Sequence, residues 1–233
     1  MRALIAVGVA CAAVLVFGVA PAGATRECEG LTVCVPKVGP WVVVPTSGEV
    51  PRRQVEYLLS CPKGYVVGGL DAELSQRAID VTFIGTLGSP VNPGVSTSRA
   101  VVFVASYVGG TASSASFRPH VGCMPSSGGG SRVPTALGAI LAGHPTVRHA
   151  RTVRVRPGSG SVSQSCAAHE RLVDAMQAFG FYMRRPPSAS LAGSVSGSLA
   201  IRGSRAVSQV RGDAEIASVR AVVQVQAVCA TTR

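Results

Sequence analysis

The spacing of the cysteines constrains this chain more than any other feature of its sequence. Cys61 and Cys123 are 62 residues apart, and Cys166 and Cys229 are 63 apart. Each first cysteine follows a serine and precedes an apolar stretch, and each second cysteine lies in a β-branched, strand-like segment. We infer two divergent copies of one module, because self-similarity at a fixed spacing is typical of a duplication.

The duplication selects one disulfide pattern from many. Six cysteines allow 15 pairings. If both modules are closed alike, the disulfides are Cys61–Cys123 and Cys166–Cys229, and Cys28–Cys34 closes a small N-terminal loop. Neither a pair of C-x-x-C motifs nor a Cys/His cluster at zinc-ligand spacing is present. The cysteines therefore predict structural disulfides, with no metal and no cofactor.

The first 24 residues have the layout of a signal peptide. Arg2 precedes an uncharged apolar run, and Ala22 and Ala24 supply the small residues of a cleavage site. The alternative is a membrane anchor, since about 18 apolar residues can just span a bilayer. We expect cleavage after Ala24, which also removes the seventh cysteine, Cys11. The sequence thus predicts a secreted or envelope protein in an oxidising compartment, with no transmembrane segment after cleavage.

The chain divides by composition into a signal peptide and four further segments. The predicted segments are residues 1–24 (signal peptide), 25–44 (N-terminal segment with the small disulfide loop), 45–127 (first β module), 128–144 (linker rich in Gly, Ser and Ala) and 145–233 (second, basic β module). Short β-branched segments recur between Gly, Ser and Pro clusters in both modules. The expected fold is therefore all-β: two tandem antiparallel modules, sandwich or barrel-like, each closed by one disulfide.

Two segments test the strand interpretation. In residues 219–229 the odd positions are apolar and Arg220, Gln224 and Gln226 fall between them, which predicts a half-buried strand with Cys229 on its core face. Residues 166–179 have helical propensity, but the matching segment from Cys61 carries proline and glycines. We predict strands in both copies.

The stretch "CPKGYVVGG" lacks the Lys-Ser/Thr of a phosphate-binding loop, so its glycines indicate a bulge or close packing.

Positive charge is concentrated in the second half of the chain. Residues 25–128 have a net charge of +1, whereas residues 129–233 have a net charge of +9. Such a module attracts anionic polymers such as cell-wall polymers and acidic polysaccharides. The alternative is that GC-rich codon usage inflates arginine without a function. The candidate polyanion-binding residues are Arg148, Arg151, Arg154, Arg156, Arg184 and Arg185.

Other functions have weaker support in the sequence. The aromatic residues are few and no nucleic-acid-binding motif is present, so nucleic acid is not an expected partner. "HERLVD" lacks the second histidine of a metallopeptidase helix, and no G-x-S-x-G motif occurs. The leading hypothesis is a secreted, non-enzymatic binding or structural envelope protein. The alternatives are an inhibitor or protein-interaction module presenting residues 85–98, and an enzyme with an unrecognised site. Oligomeric state is not predicted.

The first module carries a family resemblance. "CPKGYVVGGL", the "GSP" at 88–90 and the closing "VGC" resemble disulfide-closed β modules of secreted actinobacterial proteins. The second copy keeps "AVCA" at 227–230 but not the proline and glycines. The resemblance implies a β-rich extracellular module and assigns no activity or functional residue.

Overall fold

The chain folds almost entirely into antiparallel β-strands, which confirms the predicted fold class. The computed structural model describes residues 26–31, 33–48, 52–84, 99–126 and 146–231. The predicted signal peptide, the linker at 128–144 and the loop at 85–98 lie outside the described residues. Segment 166–179, which has helical propensity, contributes to a strand as predicted.

Thirteen strands and two short helices make up the described structure. The strands are β1 (Val35–Val38), β2 (Trp41–Val44), β3 (Val55–Ser60), β4 (Tyr65–Leu74), β5 (Ile79–Ile84), β6 (Ala100–Tyr107), β7 (Ala115–Pro125), β8 (Thr146–Arg154), β9 (Gly158–Ser165), β10 (Glu170–Tyr182), β11 (Val195–Arg202), β12 (Arg205–Gly212) and β13 (Arg220–Thr231). Helix α1 spans Ala189–Gly193, and a 3₁₀ helix spans Ala214–Ser218.

The strand pairing repeats between the two halves of the chain. In the first unit (residues 35–126), β7 pairs with β4 on one edge and with β1 and β2 on the other, while β3, β6 and β5 form a small sheet. In the second unit (residues 146–231), β13 pairs with β10 and β8, while β9, β12 and β11 form the matching sheet. Strands β1 and β2 thus belong to the first unit, although the sequence placed residues 25–44 in a separate segment.

Each unit is a two-layer sandwich with its own apolar core. Phe103 and Phe117 face each other across the first core, and Phe181 and Ile216 lie in the second. The disulfides Cys61–Cys123 and Cys166–Cys229 occupy equivalent positions. The first joins the end of β3 to β7, and the second joins the end of β9 to β13. Both pairings are those that the duplication predicts, and Cys28–Cys34 is the third disulfide.

The two units are joined into one continuous sheet. Strand β2 pairs with β7 of the first unit and with β10 of the second, so the large sheet runs across both sandwiches. In addition, β3 lies against the outer face of β13. The amide of Gln224 accepts a hydrogen bond from the Leu58 backbone N–H (2.6 Å) and donates to the Leu58 carbonyl (2.9 Å), and Gln226 donates to the Glu56 carbonyl (3.1 Å).

These glutamines correct the prediction of a half-buried strand. Gln224 and Gln226 alternate with apolar residues, but both are buried because the first unit covers their face. Their amides satisfy backbone groups on the edge of β3 that no other strand in the described part of the chain pairs with. An uncovered edge presents unpaired N–H and C=O groups to other chains, so the two side chains also protect β3 from edge-to-edge association.

The N-terminal loop covers the corresponding face of β7. His120 is buried there between Glu27 (3.6 Å) and Glu73 (3.4 Å). A Cβ atom at Gly69 or Gly122 would overlap the carbonyl oxygen of Glu27, so the close approach of this loop requires glycine at both positions. The pairing register also shifts between Val67 and Gly69, a bulge at the glycine pair. The sequence indicates a bulge or close packing at the glycines of "CPKGYVVGG", and both are present.

We expect Gly69→Ala to displace the N-terminal loop. The added methyl group meets backbone atoms that cannot rotate away, so either the loop or β4 must shift, at a cost of about 1–3 kcal/mol in the free energy of unfolding. Hydrogen exchange of the peptide at residues 26–31 should increase. Gly193→Ala is the matched control, because a Cβ there meets no atom within 4 Å apart from its chain neighbours and its own helix. Unchanged exchange in Gly69→Ala would contradict this account of the glycine.

Candidate functional site

A cleft of about 320 Å³ lies where the first unit meets one end of the second. Its walls are β3, the end of β1, and the facing residues of β8, β13 and β10. On the second unit, Thr152 and Arg154 of β8 lie beside Gln224 and Val222 of β13, so that they share one face of the sheet. The cleft is therefore a direct product of the packing between the two units. Its volume is at the low end of the range of small-molecule sites, about 300–1,000 Å³.

Three cationic side chains line this cleft. They are Lys37 from the first unit and Arg154 and Arg220 from the second, and none of the described residues that line the cleft is acidic. The guanidinium of Arg220 stacks on the ring of Tyr182 at 4.6 Å, which fixes its position. The ammonium group of Lys37 donates a hydrogen bond to the Ser60 carbonyl. Burial lowers the pKa of Lys37, which shows that its charge is partly desolvated.

Two tyrosines and a threonine add hydroxyl groups to the cleft. Tyr57 is almost fully buried, and its hydroxyl lies near those of Tyr182 and Thr152. Burial, and then the neighbouring Tyr182, raise the pKa of Tyr57 well above its usual range. Tyr57 is therefore a neutral hydroxyl at any physiological pH. Together these groups make the cleft rich in hydrogen-bond donors and positively charged.

Tyr57 predicts a loss of stability in alkali. Its pKa in the folded protein lies above the unfolded value of about 10, so its contribution is complete below pH 10 and is lost as pH rises further. Because only one proton is involved, the free energy of unfolding falls by at most about 1.4 kcal/mol for each pH unit above pH 10. Urea unfolding between pH 9 and about pH 11 should show this decline.

Tyr57→Phe is the control for this prediction. The pKa of Lys37 is lowered, and a lowered lysine pKa changes stability in the opposite direction over a similar pH range. Because Lys37 is present in both proteins, the difference between the two pH profiles isolates Tyr57. An equally steep alkaline decline in Tyr57→Phe would show that Tyr57 is not responsible.

The structure brings most of the predicted arginines to one end of the second unit. Because β8, β13 and β10 are antiparallel neighbours, the end of β8, the start of β13 and the end of β10 meet. This end, which we call the arginine end, carries exposed side chains from all three elements. It comprises Arg154, Arg156, Arg184, Arg185 and Arg220.

The other two predicted arginines lie elsewhere. Arg148 forms a bidentate pair with the buried carboxylate of Glu56 (3.0 and 3.3 Å), so it connects the two units and is not part of the arginine end. Arg151 is exposed in the middle of β8. Sequence reasoning missed Lys37, Arg220 and Tyr57. The local sequence signal for this site is Tyr182, which is followed closely by Arg184 and Arg185.

One group of potential metal ligands occurs among the described residues. The ligand atoms of His149, Glu170 and Cys229 lie within 4.8 Å of one another. However, Cys229 is bonded to Cys166, and a disulfide sulfur is not the thiolate that binds zinc. Glu170 already accepts hydrogen bonds from the Ala167 backbone (2.9 Å) and contacts His149 (2.6 Å), and the first of these does most to lower the pKa of Glu170. The group is accounted for by structural contacts.

Comparison with known protein families, curated proteins and solved structures finds no match to this chain. No helix in the described part of the chain is long and apolar enough to cross a membrane. The three disulfides indicate an oxidising environment.

Proposed function

We propose that this is a secreted, non-enzymatic binding or structural envelope protein that contacts anionic polymers through its basic second unit. The observation that carries the proposal is the arginine end, where cationic side chains from three chain segments converge. Cationic surfaces of this kind raise the local concentration of polyanions and steer their association. The proposed ligands are a cell-wall polymer or an acidic polysaccharide.

The distribution of charge supports this proposal over a uniform codon bias. A bias in codon usage adds arginine to both units alike, yet residues 129–233 carry a net charge of +9 and residues 25–128 carry +1. In addition, Glu56 pairs with Arg148, which lies toward the opposite end of β8 from the arginine end. Like charges that converge repel one another, and a bound anion relieves that repulsion.

Retention on immobilised heparin tests the proposal with charge-matched variants. The first variant, R156Q/R184Q/R185Q, removes three charges from the arginine end. The control, R171Q/R202Q/R205Q, removes three exposed arginines that lie at the opposite ends of β10, β11 and β12 from the arginine end. We expect only the first variant to elute at clearly lower salt. Equal elution of the two variants would show that net charge alone governs retention, and would contradict the proposal.

Secretion is the second part of the proposal. It is supported by the signal-peptide layout of residues 1–24 and by the three disulfides. Expression of the full chain in a secretion-competent host should give a mature protein that begins near Thr25. N-terminal sequencing of the culture supernatant measures this directly, and a product that stays with the cells uncleaved would contradict it.

A further inference from the structure

We propose that the cleft between the two units is a binding site for one phosphate group, held by Lys37, Arg154 and Arg220. This inference rests on the proposed function, because we assign the phosphate to a terminal phosphate monoester of the anionic polymer that the arginine end contacts. It adds the chemical class of the group that is recognised and the residues that recognise it. It also gives the first unit a direct part in binding.

The charge balance of the cleft is the first argument. Three cations face a space with no acidic residue among its described lining residues. Arg154 is exposed, and within the described part of the chain its guanidinium has no hydrogen-bond or ion-pair partner. Burial lowers the pKa of Lys37, because its charged form is partly desolvated beside the cleft. A bound anion offsets both the repulsion and the desolvation.

The second argument is that two of the donors are fixed in place. Tyr182 holds the Arg220 guanidinium by stacking, and the Ser60 carbonyl holds the Lys37 ammonium. A donor that is already ordered loses less conformational entropy when the ligand binds. The hydroxyl of Thr152 and the amide of Gln224, which hydrogen-bond each other at 3.0 Å, lie on the wall of the same cleft.

The number and kind of donors favour phosphate over carboxylate. A carboxylate presents two oxygens and one negative charge, whereas a phosphate monoester presents three terminal oxygens and a charge of about −1.5 to −2. Two planar guanidinium groups and one ammonium match that charge and supply donors in several directions. The cleft, at about 320 Å³, also has room for the group to which the phosphate is attached.

Calorimetric titration with inorganic phosphate tests the site, with sodium chloride at equal ionic strength as the reference. We expect the wild type to bind phosphate and not chloride. R220Q and K37Q should each weaken phosphate binding by at least about tenfold, because each removes a charge-assisted hydrogen bond. R154Q provides a second test if either of those variants folds poorly, since Arg154 is exposed. R211Q is the control and should bind phosphate like the wild type.

The same titration with a short linear polyphosphate identifies the source of the phosphate. If the phosphate belongs to a polymer, polyphosphate should bind more tightly than inorganic phosphate. R156Q/R184Q/R185Q should then bind the two ligands with similar affinity. Equal affinities would overturn the assignment to a polymer. Phosphate binding that survives in R220Q, K37Q and R154Q, or no binding by the wild type, would overturn the site itself.

The two proposals fail in different ways. If heparin retention depends on the arginine end but phosphate does not bind, the cleft is wrong and the proposed function stands. If heparin retention does not distinguish the charge-matched variants, the proposed function fails whatever the outcome of the phosphate titration.

Discussion

Replacing Cys61 and Cys123 with alanine should lower the free energy of unfolding by about 4 kcal/mol, since the bond closes a loop across 62 residues. The chain-entropy model gives nearly the same value for Cys166 and Cys229, whose separation is 63 residues. Each bond also joins the two layers of its sandwich, so its loss frees one layer from the other. Urea unfolding of the two double variants measures both effects.

The Cys28–Cys34 disulfide provides the internal control. Its separation of 6 residues predicts a smaller contribution, about 2 kcal/mol on the same model. The expected order is therefore two large and nearly equal losses and one smaller loss. Removal of either long disulfide could instead lower the free energy of unfolding no more than Cys28→Ala/Cys34→Ala does. That result would show that loop closure does not determine the contribution of the long disulfides.

Gln224→Ala should be the most destabilising single substitution that leaves the apolar cores intact. It removes both hydrogen bonds to the Leu58 backbone and leaves that N–H and carbonyl without partners in a part-buried position. Each of the two unsatisfied groups costs about 1–3 kcal/mol, so we expect a total loss of roughly 2–6 kcal/mol. Chemical denaturation monitored by Trp41, the only tryptophan in the chain, gives the value.

Gln209→Ala is the matched control. Gln209 is exposed on β12 and makes only a long contact with Ser161 (3.4 Å), so we expect a change within about 0.5 kcal/mol. The Gln224 variant should also show faster hydrogen exchange at residues 55–60, because the edge of β3 becomes accessible. A loss as small as that of Gln209→Ala would contradict the role of Gln224 in joining the units.

Local patterns in the sequence were enough to predict the all-β fold class and the disulfides. Alternation of apolar and polar residues locates a strand whatever it packs against, and the near-equal cysteine spacings identify equivalent positions in two copies. The glycine pair at 68–69 was also informative, because glycine inside a strand often marks a bulge or the close approach of another chain segment. These features depend on residues close in sequence or on the repeat itself.

Contacts between the two copies were not predictable in this way. Gln224 follows the polar positions of an ordinary half-buried strand, and nothing near it in the sequence indicates that residues 166 positions earlier cover it. Lys37 was missed as a cleft residue for the same reason, since its neighbours in the site come from β3, β8 and β13. Arg148 has the sequence context of an exposed arginine, but the β3 edge brings Glu56 to it. Packing between duplicated units is a tertiary property that alternation within one strand does not encode.

The salt dependence of polyphosphate binding tests the central claim most directly. For a polyanion ligand, the logarithm of the binding constant falls linearly with the logarithm of salt concentration, by roughly 0.7–0.9 per phosphate contact. If the arginine end is the contact surface, R156Q/R184Q/R185Q should reduce this slope by about 2–3, while R171Q/R202Q/R205Q leaves it unchanged. Equal slopes for the two charge-matched variants would contradict the account.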